Sequence, residues 1–206
     1  MARRTIVKVT IGIAVPTIGR DSLTQTLDAL APQVEPGDQI WVVQDTHAAP
    51  DVDVKTRVDP YGPCFRYHAH DAGRSFNGVF QTNEAFMRMT TDLALSHSDD
   101  DVFAPTALPR IRELAASSPD PRPILFRCCS PNGRMTWPDG RQRLRRHRLG
   151  GGSLAAPRRF LVPYHYPCEG IDYYWVCEIL ALAAAAGHLP IWTDDVLMYG
   201  RGMKPA

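Results

Sequence analysis

The first 45 residues read as a strand, a loop, a helix and a second strand, and this order constrains the fold more than any other feature. Residues 5–15 alternate in polarity and are rich in β-branched side chains, and a turn cluster follows at 16–20. Residues 22–31 place leucines at helical spacing, and 39–43 form a short apolar run typical of a strand buried in a parallel sheet. This βαβ unit predicts an α/β fold, with a mostly parallel central sheet flanked by helices.

The rest of the chain continues with elements of the same kind, and turn signals at 131–140 predict a small antiparallel part. At 206 residues, the chain can bury one sizeable core, so we expect a single domain over 1–206. The predicted elements are a strand over 64–68, a helix over 77–95, a helix over 105–116, a strand over 124–128, a helix after Asp172, and strands over 189–192 and 196–199.

Composition excludes several classes of protein. With 44% hydrophobic and 22% charged residues, the chain is neither disordered nor fibrous. No apolar run approaches the ~20 residues of a membrane span, and the amino terminus lacks the apolar run of about 7–15 residues that a signal peptide needs. The five cysteines are odd in number and show no paired metal spacing. We therefore expect a reduced, cytoplasmic location.

Three consecutive carboxylates, Asp99, Asp100 and Asp101, follow a segment with helical periodicity. Because like charges repel, the fold either exposes this acidic triplet to water or neutralises it with a cation. One reading is a solvated acidic loop or helix cap. In an α/β domain, the alternative is a divalent metal site that carries a phosphate-bearing ligand.

Three further features each allow a structural and a functional reading. Asn83 shares the apolar stripe of its predicted helix, so it is either a hydrogen-bonded core amide or a ligand contact. Asp172 precedes an amphipathic segment, where it could cap a helix or act as a general base. The basic run 141–148, followed by a glycine-rich hinge at 150–153, is either a solvated loop or a site for a phosphate-rich acceptor or nucleic acid.

Read together, these motifs resemble the nucleotide-sugar glycosyltransferases of the GT-A fold, and more narrowly the family-2-like group. The resemblance extends from about Ile11 to Arg201. The segments that carry it are 15–20 (opening nucleotide loop), 41–45 (second strand with its base-contacting Asp), 81–85 (Arg-Asn-x-Gly element), 98–101 (Asp-x-Asp region), 152–159 (segment leading to the acceptor) and 169–172 (acidic catalytic motif).

The resemblance implies a donor half over 1–101, an acceptor and catalytic half over 102–206, and a Mn²⁺ or Mg²⁺ cofactor. Asp101 and Asp99 are the expected metal ligands, with Asp100 a close competitor. Donor contacts are expected from Pro16, Thr17, Gly19, Arg20, Asp45, Asn83, Asp99, Asp100 and Arg201. Acceptor contacts are expected from Arg145, Arg146, Arg148, Gly152 and Ser153, which favours a polyanionic acceptor such as modified DNA or an anionic glycan or lipid.

The sequence departs from the family pattern at two points. Gly170 replaces the Asp of the usual Glu-Asp pair, so the base is either Asp172 or Glu169. Arg201 stands where the family often has a His that completes the metal site, so Arg201 is a candidate to bind the diphosphate directly. Three alternatives stay open: a nucleotidyltransferase of similar fold, a non-catalytic nucleic-acid-binding module that uses the basic run, and a degenerate member that binds nucleotide without turnover.

Overall fold

The computed structural model describes residues 8–73, 78–130, 132–135, 151–165 and 171–200. Strands and helices alternate along most of this length. They are β1 (Ile11–Thr17), α1 (Ser22–Leu30), β2 (Gln39–Asp45), α2 (Lys55–Val58), β3 (Phe65–His70), α3 (Val79–Arg88), β4 (Leu93–Ser96), β5 (Val102–Phe103), α4 (Ala107–Ala116), β6 (Ile124–Cys129), β7 (Leu154–Pro157), α5 (Ile171–Ala185) and β8 (Ile191–Tyr199).

The eight strands form one mixed sheet in the order β3-β2-β1-β4-β7-β6-β8-β5. The first four strands of this order run parallel to one another. β7 is antiparallel to both of its neighbours, β8 is parallel to β6, and β5 is antiparallel to β8. The predicted α/β fold, with a largely parallel sheet and a smaller antiparallel part, is therefore confirmed.

The core consists of two apolar clusters, and successive residues of β1 contribute to different ones. Ile13 belongs to a cluster with side chains of α1 and α4, whereas Ala14 belongs to a cluster with side chains of α3 and α5. This division follows from the strand geometry, because consecutive side chains point to opposite faces of a sheet. Helices therefore cover both faces of β1, as a parallel sheet requires.

The long helix predicted over 77–95 is wrong in its second half. Helix α3 ends at Arg88, Met89 has extended backbone angles (φ −70°, ψ 141°), and residues 93–96 form β4. The first three residues of β4 are fully buried between β1 and β7. Consecutive burial suits a central strand, whereas a surface helix would leave part of this run exposed.

Other boundaries also differ from the predictions. Of the strand predicted over 5–15, residues 5–7 lie outside the described part, residues 8–10 are not in a strand, and β1 begins at Ile11. The two strands predicted within 189–199 are one continuous strand, β8. Near the predicted antiparallel turn, Cys129 forms an antiparallel bridge with Met135, and residues 136–150 lie outside the described part. No helix in the described ranges combines the length and apolar character that crossing a membrane requires.

Candidate active site

The carboxyl ends of β1, β2 and β4 meet at one edge of the sheet, because these strands are adjacent and parallel. Each of the three ends in a polar residue, namely Thr17, Asp45 and Ser96. The acidic triplet follows β4 after two further residues. The structure therefore places the triplet after a strand, and not after the helix that the periodicity indicates.

Asp99 is the buried member of the triplet, with a side chain only 2% exposed. Its Oδ2 accepts a hydrogen bond of 2.6 Å from the Thr17 hydroxyl, and its Oδ1 accepts one of 2.7 Å from Arg20 Nη1. Both carboxylate oxygens thus hold the loop that follows β1. This pairing gives Asp99 a structural role that the acidic pattern alone does not reveal.

The loop after β1 is also fixed from its other side. Gly19 has a left-handed φ of 78°, and a Cβ at this position would lie 2.4 Å from Val52 Cγ1, so only glycine fits. Its N–H donates to Thr17 Oγ1 at 2.8 Å. Arg57 Nη1 donates to the carbonyl oxygens of Gly19 and Arg20 at 3.1 and 3.2 Å. Arg57 is a positioning residue that sequence analysis did not identify.

The other two carboxylates of the triplet are more accessible than Asp99. The Asp100 side chain is 20% exposed, with Oδ2 3.6 Å from Arg20 Nη1 and Oδ1 hydrogen-bonded to the Ser98 hydroxyl. Asp101 is half-buried, and its main-chain carbonyl accepts a hydrogen bond of 2.8 Å from Thr26. Carboxylate oxygens are the ligands that Mg²⁺ and Mn²⁺ prefer. Asp100 and Asp101 therefore fit a divalent cation better than Asp99 does.

The buried side chain of His97 contacts the backbone of the acidic triplet. Its ring is buried against Phe103 at a centroid distance of 4.3 Å, and its Nε2 lies 3.1 Å from the carbonyl oxygen of Asp101. Burial lowers the pKa of His97 to about 4, so the imidazole is neutral at pH 7. His97 therefore contributes a hydrogen bond, and not a positive charge, to the backbone of the triplet.

The amino terminus of α3 packs directly on the carboxyl end of β1. Gly78, the residue before α3, has a left-handed φ of 77°, and a Cβ there would lie 2.6 Å from Pro16 Cβ. The positive end of the helix dipole is thus held close to the carboxyl end of β1. Such helix ends favour anionic groups, including phosphates.

We predict that Gly78→Ala lowers the free energy of unfolding by about 1–3 kcal/mol, because it adds backbone strain and a clash with Pro16. Urea denaturation measures the loss. Gly187→Ala is the matched control, since Gly187 has a similar φ of 81° and no atom within 4 Å of the added methyl group. Equal losses in the two variants would show that contact with Pro16 does not constrain the position.

Asn83 is engaged with the backbone of Tyr164. Its Nδ2 donates to the Tyr164 carbonyl at 2.8 Å, and its Oδ1 accepts from the Tyr164 N–H at 2.7 Å. Both ends of the amide therefore bind a segment 81 residues away in the sequence. This geometry favours the structural reading of Asn83, in which the amide positions Tyr164.

Tyr164 links the carboxyl end of β4 to helix α5. Its ring stacks on Trp175 at 4.7 Å and lies parallel to Phe86 at 6.5 Å. Its hydroxyl donates to Asp172 Oδ1 at 3.2 Å and is also hydrogen-bonded to Ser96. Burial, together with the negative charge of Asp172, raises the pKa of Tyr164 well above 10.0, so the phenol keeps its proton and acts as a donor.

Asp172 lies in the first turn of α5, which begins at Ile171. This placement puts Asp172 inside the helix rather than at the capping residue before it, where sequence analysis allowed it. The negative charge of Asp172 is stabilised in this first turn, because the amino-terminal end of a helix dipole is positive. Through Tyr164 and Ser96, Asp172 is connected to the same edge of the sheet as the acidic triplet.

The remaining predicted site residues fall into two groups. Asp45 is buried at the end of β2, and its Oδ1 accepts a hydrogen bond of 3.0 Å from the Ala48 N–H. Gly152 and Ser153 are both buried, and the Ser153 hydroxyl lies 3.0 Å from Cys128 Sγ. The other predicted residues lie outside the described part of the chain; they are Arg145, Arg146, Arg148, Glu169 and Arg201.

Gly152 is required by close packing. A Cβ on Gly152 would lie 2.6 Å from Met198 Sδ and 3.3 Å from the carbonyl oxygen of Ser96. The glycine thus lets the segment before β7 approach the end of β4. Because Ser153 has no exposed surface, its hydroxyl supports this packing and does not reach solvent.

No protein-family model matches this sequence, and no curated protein sequence matches it. Solved structures do match. S. aureus TarS in complex with UDP-GlcNAc matches with a TM-score of 0.70 and 14% identity, over 96% of this chain and 60% of that one. The mannosyltransferase PcManGT from Pyrobaculum calidifontis, in complex with GDP-Man and Mn²⁺, matches with a TM-score of 0.66 and 17% identity, over 98% and 59%.

A third match is glucosyl-3-phosphoglycerate synthase from Mycobacterium tuberculosis, in complex with Mn²⁺, UDP and glucosyl-3-phosphoglycerate. Its TM-score is 0.67 at 14% identity, over 95% of this chain and 73% of that one. The chain spans 36% of a second TarS structure, which matches with a TM-score of 0.73. At identities of 14–17%, the structural similarity shows the fold and nothing finer. The chain therefore has the GT-A fold of nucleotide-sugar glycosyltransferases.

Proposed function

We propose that this protein is a metal-dependent glycosyltransferase that moves a sugar from a UDP- or GDP-sugar to an acceptor hydroxyl. One observation carries the proposal. The edge of the sheet that ends in Thr17 and Ser96 also holds the acidic triplet, and it is linked through Tyr164 to Asp172. A donor site and a general base have to be neighbours for glycosyl transfer, and this arrangement brings candidates for both together.

The donor is proposed to bind at the carboxyl ends of β1 and β2, where open α/β sheets bind nucleotides. Pro16, Thr17 and Gly19 shape the loop, and Asp45 is the candidate contact for the base. Arg20 is 44% exposed although it pairs with Asp99, so it can also face a diphosphate. The neighbours hold UDP-GlcNAc and GDP-Man, which supports a nucleotide-diphospho-sugar as the donor class.

Asp100 and Asp101 are the proposed metal ligands, and the partial exposure of Asp100 fits this role. Asp99, an expected ligand in the sequence pattern, is assigned instead to holding Thr17 and Arg20 in place. Mn²⁺ or Mg²⁺, when bound, would offset the negative charge that develops on the departing diphosphate. Two of the neighbours were solved with Mn²⁺, which supports a divalent cation of this kind.

Asp172 is the proposed general base. As the acceptor oxygen forms its bond to the anomeric carbon and the bond to the diphosphate breaks, the acceptor proton passes to the Asp172 carboxylate. Tyr164, held by Asn83 and by its aromatic neighbours, fixes one carboxylate oxygen and leaves the side chain in a defined orientation. Glu169 is the competing candidate and lies outside the described residues.

The acceptor is proposed to be a polyanion bound by the basic run, with Arg145, Arg146 and Arg148 as its contacts. Residues 1–101 would then carry the donor, and residues 102–206 the acceptor and the base. Gly152 and Ser153 contribute by packing the segment before β7 against β4, since both are buried. A cytoplasmic location stays a prediction; it is supported by four free cysteines among the described residues.

A thermal-shift panel tests the donor site. It combines UDP, GDP, ADP and CDP with Mn²⁺, with Mg²⁺ or with a chelator. At about 100-fold over the dissociation constant, the matching nucleotide should stabilise the protein by ~2.7 kcal/mol, or roughly 5–10 °C. We expect this shift with UDP or GDP and expect the chelator to abolish it.

A double variant, Asp100→Asn with Asp101→Asn, should lose the metal-dependent shift and keep its melting temperature without ligand. Glu113→Gln is the matched control, because Glu113 is an exposed carboxylate on α4 whose one ion-pair partner among the described residues is the neighbouring Arg110. No shift with any nucleotide would contradict the proposal. Salt-dependent binding to DNA in that case would favour the nucleic-acid-binding alternative.

A further inference from the structure

Two histidines of β3 and a glutamate of α3 lie close together. β3 is the edge strand of the sheet, next to β2. His68 and His70 are two residues apart on β3, so their side chains share one face of the strand. Glu84 approaches them from α3. One potential ligand atom from each of the three lies within 4.8 Å of the others. The three residues are called the His-His-Glu cluster below.

The distances in the cluster are close to those of a metal site. His68 Nε2 lies 3.3 Å from Glu84 Oε1. In tetrahedral coordination with Zn–N and Zn–O bonds of 2.0–2.1 Å, ligand atoms lie about 3.3–3.4 Å apart. All of the ligand atoms lie within 4.8 Å of one another, so no separation would have to shorten by more than about 1.5 Å to reach the tetrahedral distance. Rotation of a partly exposed imidazole ring can supply a movement of this size.

A cation already occupies the cluster in this structure. Arg88 donates from Nε to Glu84 Oε1 at 2.7 Å, and its Nη2 lies 3.2 Å from His68 Nε2. The Arg88 side chain is 40% exposed, and its guanidinium also lies 5.8 Å from the centre of the Trp41 ring. Arg88 can therefore leave the carboxylate for solvent and retain its contact with the aromatic face.

We propose that the His-His-Glu cluster binds a divalent transition metal of the Zn²⁺ class, with Arg88 as the competing cation. Two imidazoles and one carboxylate leave a fourth position for water, as in many zinc sites. Imidazole ligands favour Zn²⁺ over Mg²⁺ and Mn²⁺, whereas the all-carboxylate triplet favours the latter two. The two sites would thus select different ions.

The position of the cluster indicates what the ion does. It joins the edge strand β3 to α3, and the amino terminus of α3 packs on Pro16 through Gly78. An ion bound here would fasten α3 to the sheet near the carboxyl end of β1. This inference does not depend on the proposed transferase activity, because it rests on β3 and α3 alone.

Competition for Zn²⁺ between the full-length protein and a chromophoric chelator tests the site in the absence of nucleotide. We expect one Zn²⁺ per chain. His70→Gln should weaken binding at least as much as loss of an outer-shell partner, about 10- to 100-fold. His70 is the cleanest probe, because its side chain forms no hydrogen bond within the described part of the chain. Its main-chain carbonyl accepts a hydrogen bond of 3.2 Å from the Thr46 N–H, which the substitution keeps. Arg88→Gln should tighten binding, because it removes the competing cation.

Two controls separate this site from other ligands of the ion. His47→Gln, which alters a nearby exposed histidine 4.0 Å from Asp71, should leave the affinity unchanged, as should the Asp100→Asn, Asp101→Asn double variant. Substitution with Co²⁺ should give a spectrum without thiolate charge-transfer bands, which excludes the free cysteines. Equal Zn²⁺ affinities for the wild type, His70→Gln and Glu84→Gln would overturn the proposal.

Discussion

Replacement of Asp172 by Asn is expected to lower kcat by about 10²–10⁴-fold, the usual contribution of a general base. Asn has nearly the same shape and can still accept the hydrogen bond from Tyr164, but it cannot take a proton from the acceptor. Donor binding should therefore survive. Steady-state kinetics measures the loss of turnover, and the nucleotide thermal shift measures retention of the donor site.

Two matched variants sharpen this experiment. Glu178→Gln removes a carboxylate from the same helix, α5, where Glu178 pairs with His165, and it should leave kcat unchanged. Tyr164→Phe keeps the stacked ring but removes the hydroxyl that orients Asp172, so it should cause a smaller loss with a changed pH profile. Full activity in Asp172→Asn would move the role of base to Glu169.

Trp175→Ala should lower the free energy of unfolding by about 3–5 kcal/mol, as is typical when a buried aromatic side chain is removed. Trp175 is 2% exposed, stacks on Tyr164, and lies 5.6 Å from the Phe86 ring. Its Nε1 also donates to the Val162 carbonyl at 2.7 Å. Urea denaturation measures the change, and residual activity reports whether Tyr164 still orients Asp172.

The controls for Trp175 lie at the same position and on the same helix. Trp175→Phe keeps an aromatic ring beside Tyr164 but loses the hydrogen bond to Val162, so its cost should be clearly smaller. Leu182→Ala removes an apolar side chain that is 44% exposed on α5 and should change stability by no more than about 0.5 kcal/mol. A similar loss for Trp175→Ala and Leu182→Ala would contradict the structural role of the aromatic stack.

The first half of the fold is readable from the sequence because its signals are local. The alternating segment, the leucines of α1 and the apolar run of β2 each match one element. β4 is different. It has only four residues, it follows α3 closely, and its apolar positions continue the helical spacing by coincidence. Periodicity cannot separate such a short strand from the end of a helix.

The residues of the candidate site can be proposed from the sequence, but their contacts with one another cannot. The sequence identifies three consecutive carboxylates as candidate metal ligands. Only the fold shows that both oxygens of Asp99 accept hydrogen bonds from Thr17 and Arg20, which are 82 and 79 residues away. Tyr164 was missed altogether, since its partners Asn83 and Asp172 come from different elements. Its one local signal is an aromatic residue in a loop, which is too common to be informative.

The ion pair between Arg20 and Asp99 has a consequence for the energetics of ligand binding. Together with Thr17 and Arg57, it fixes the loop after β1 in the protein without ligand. The conformational entropy of this loop is therefore lost during folding and not when a ligand arrives. A preorganised loop of this kind lets a ligand keep more of its contact energy as affinity.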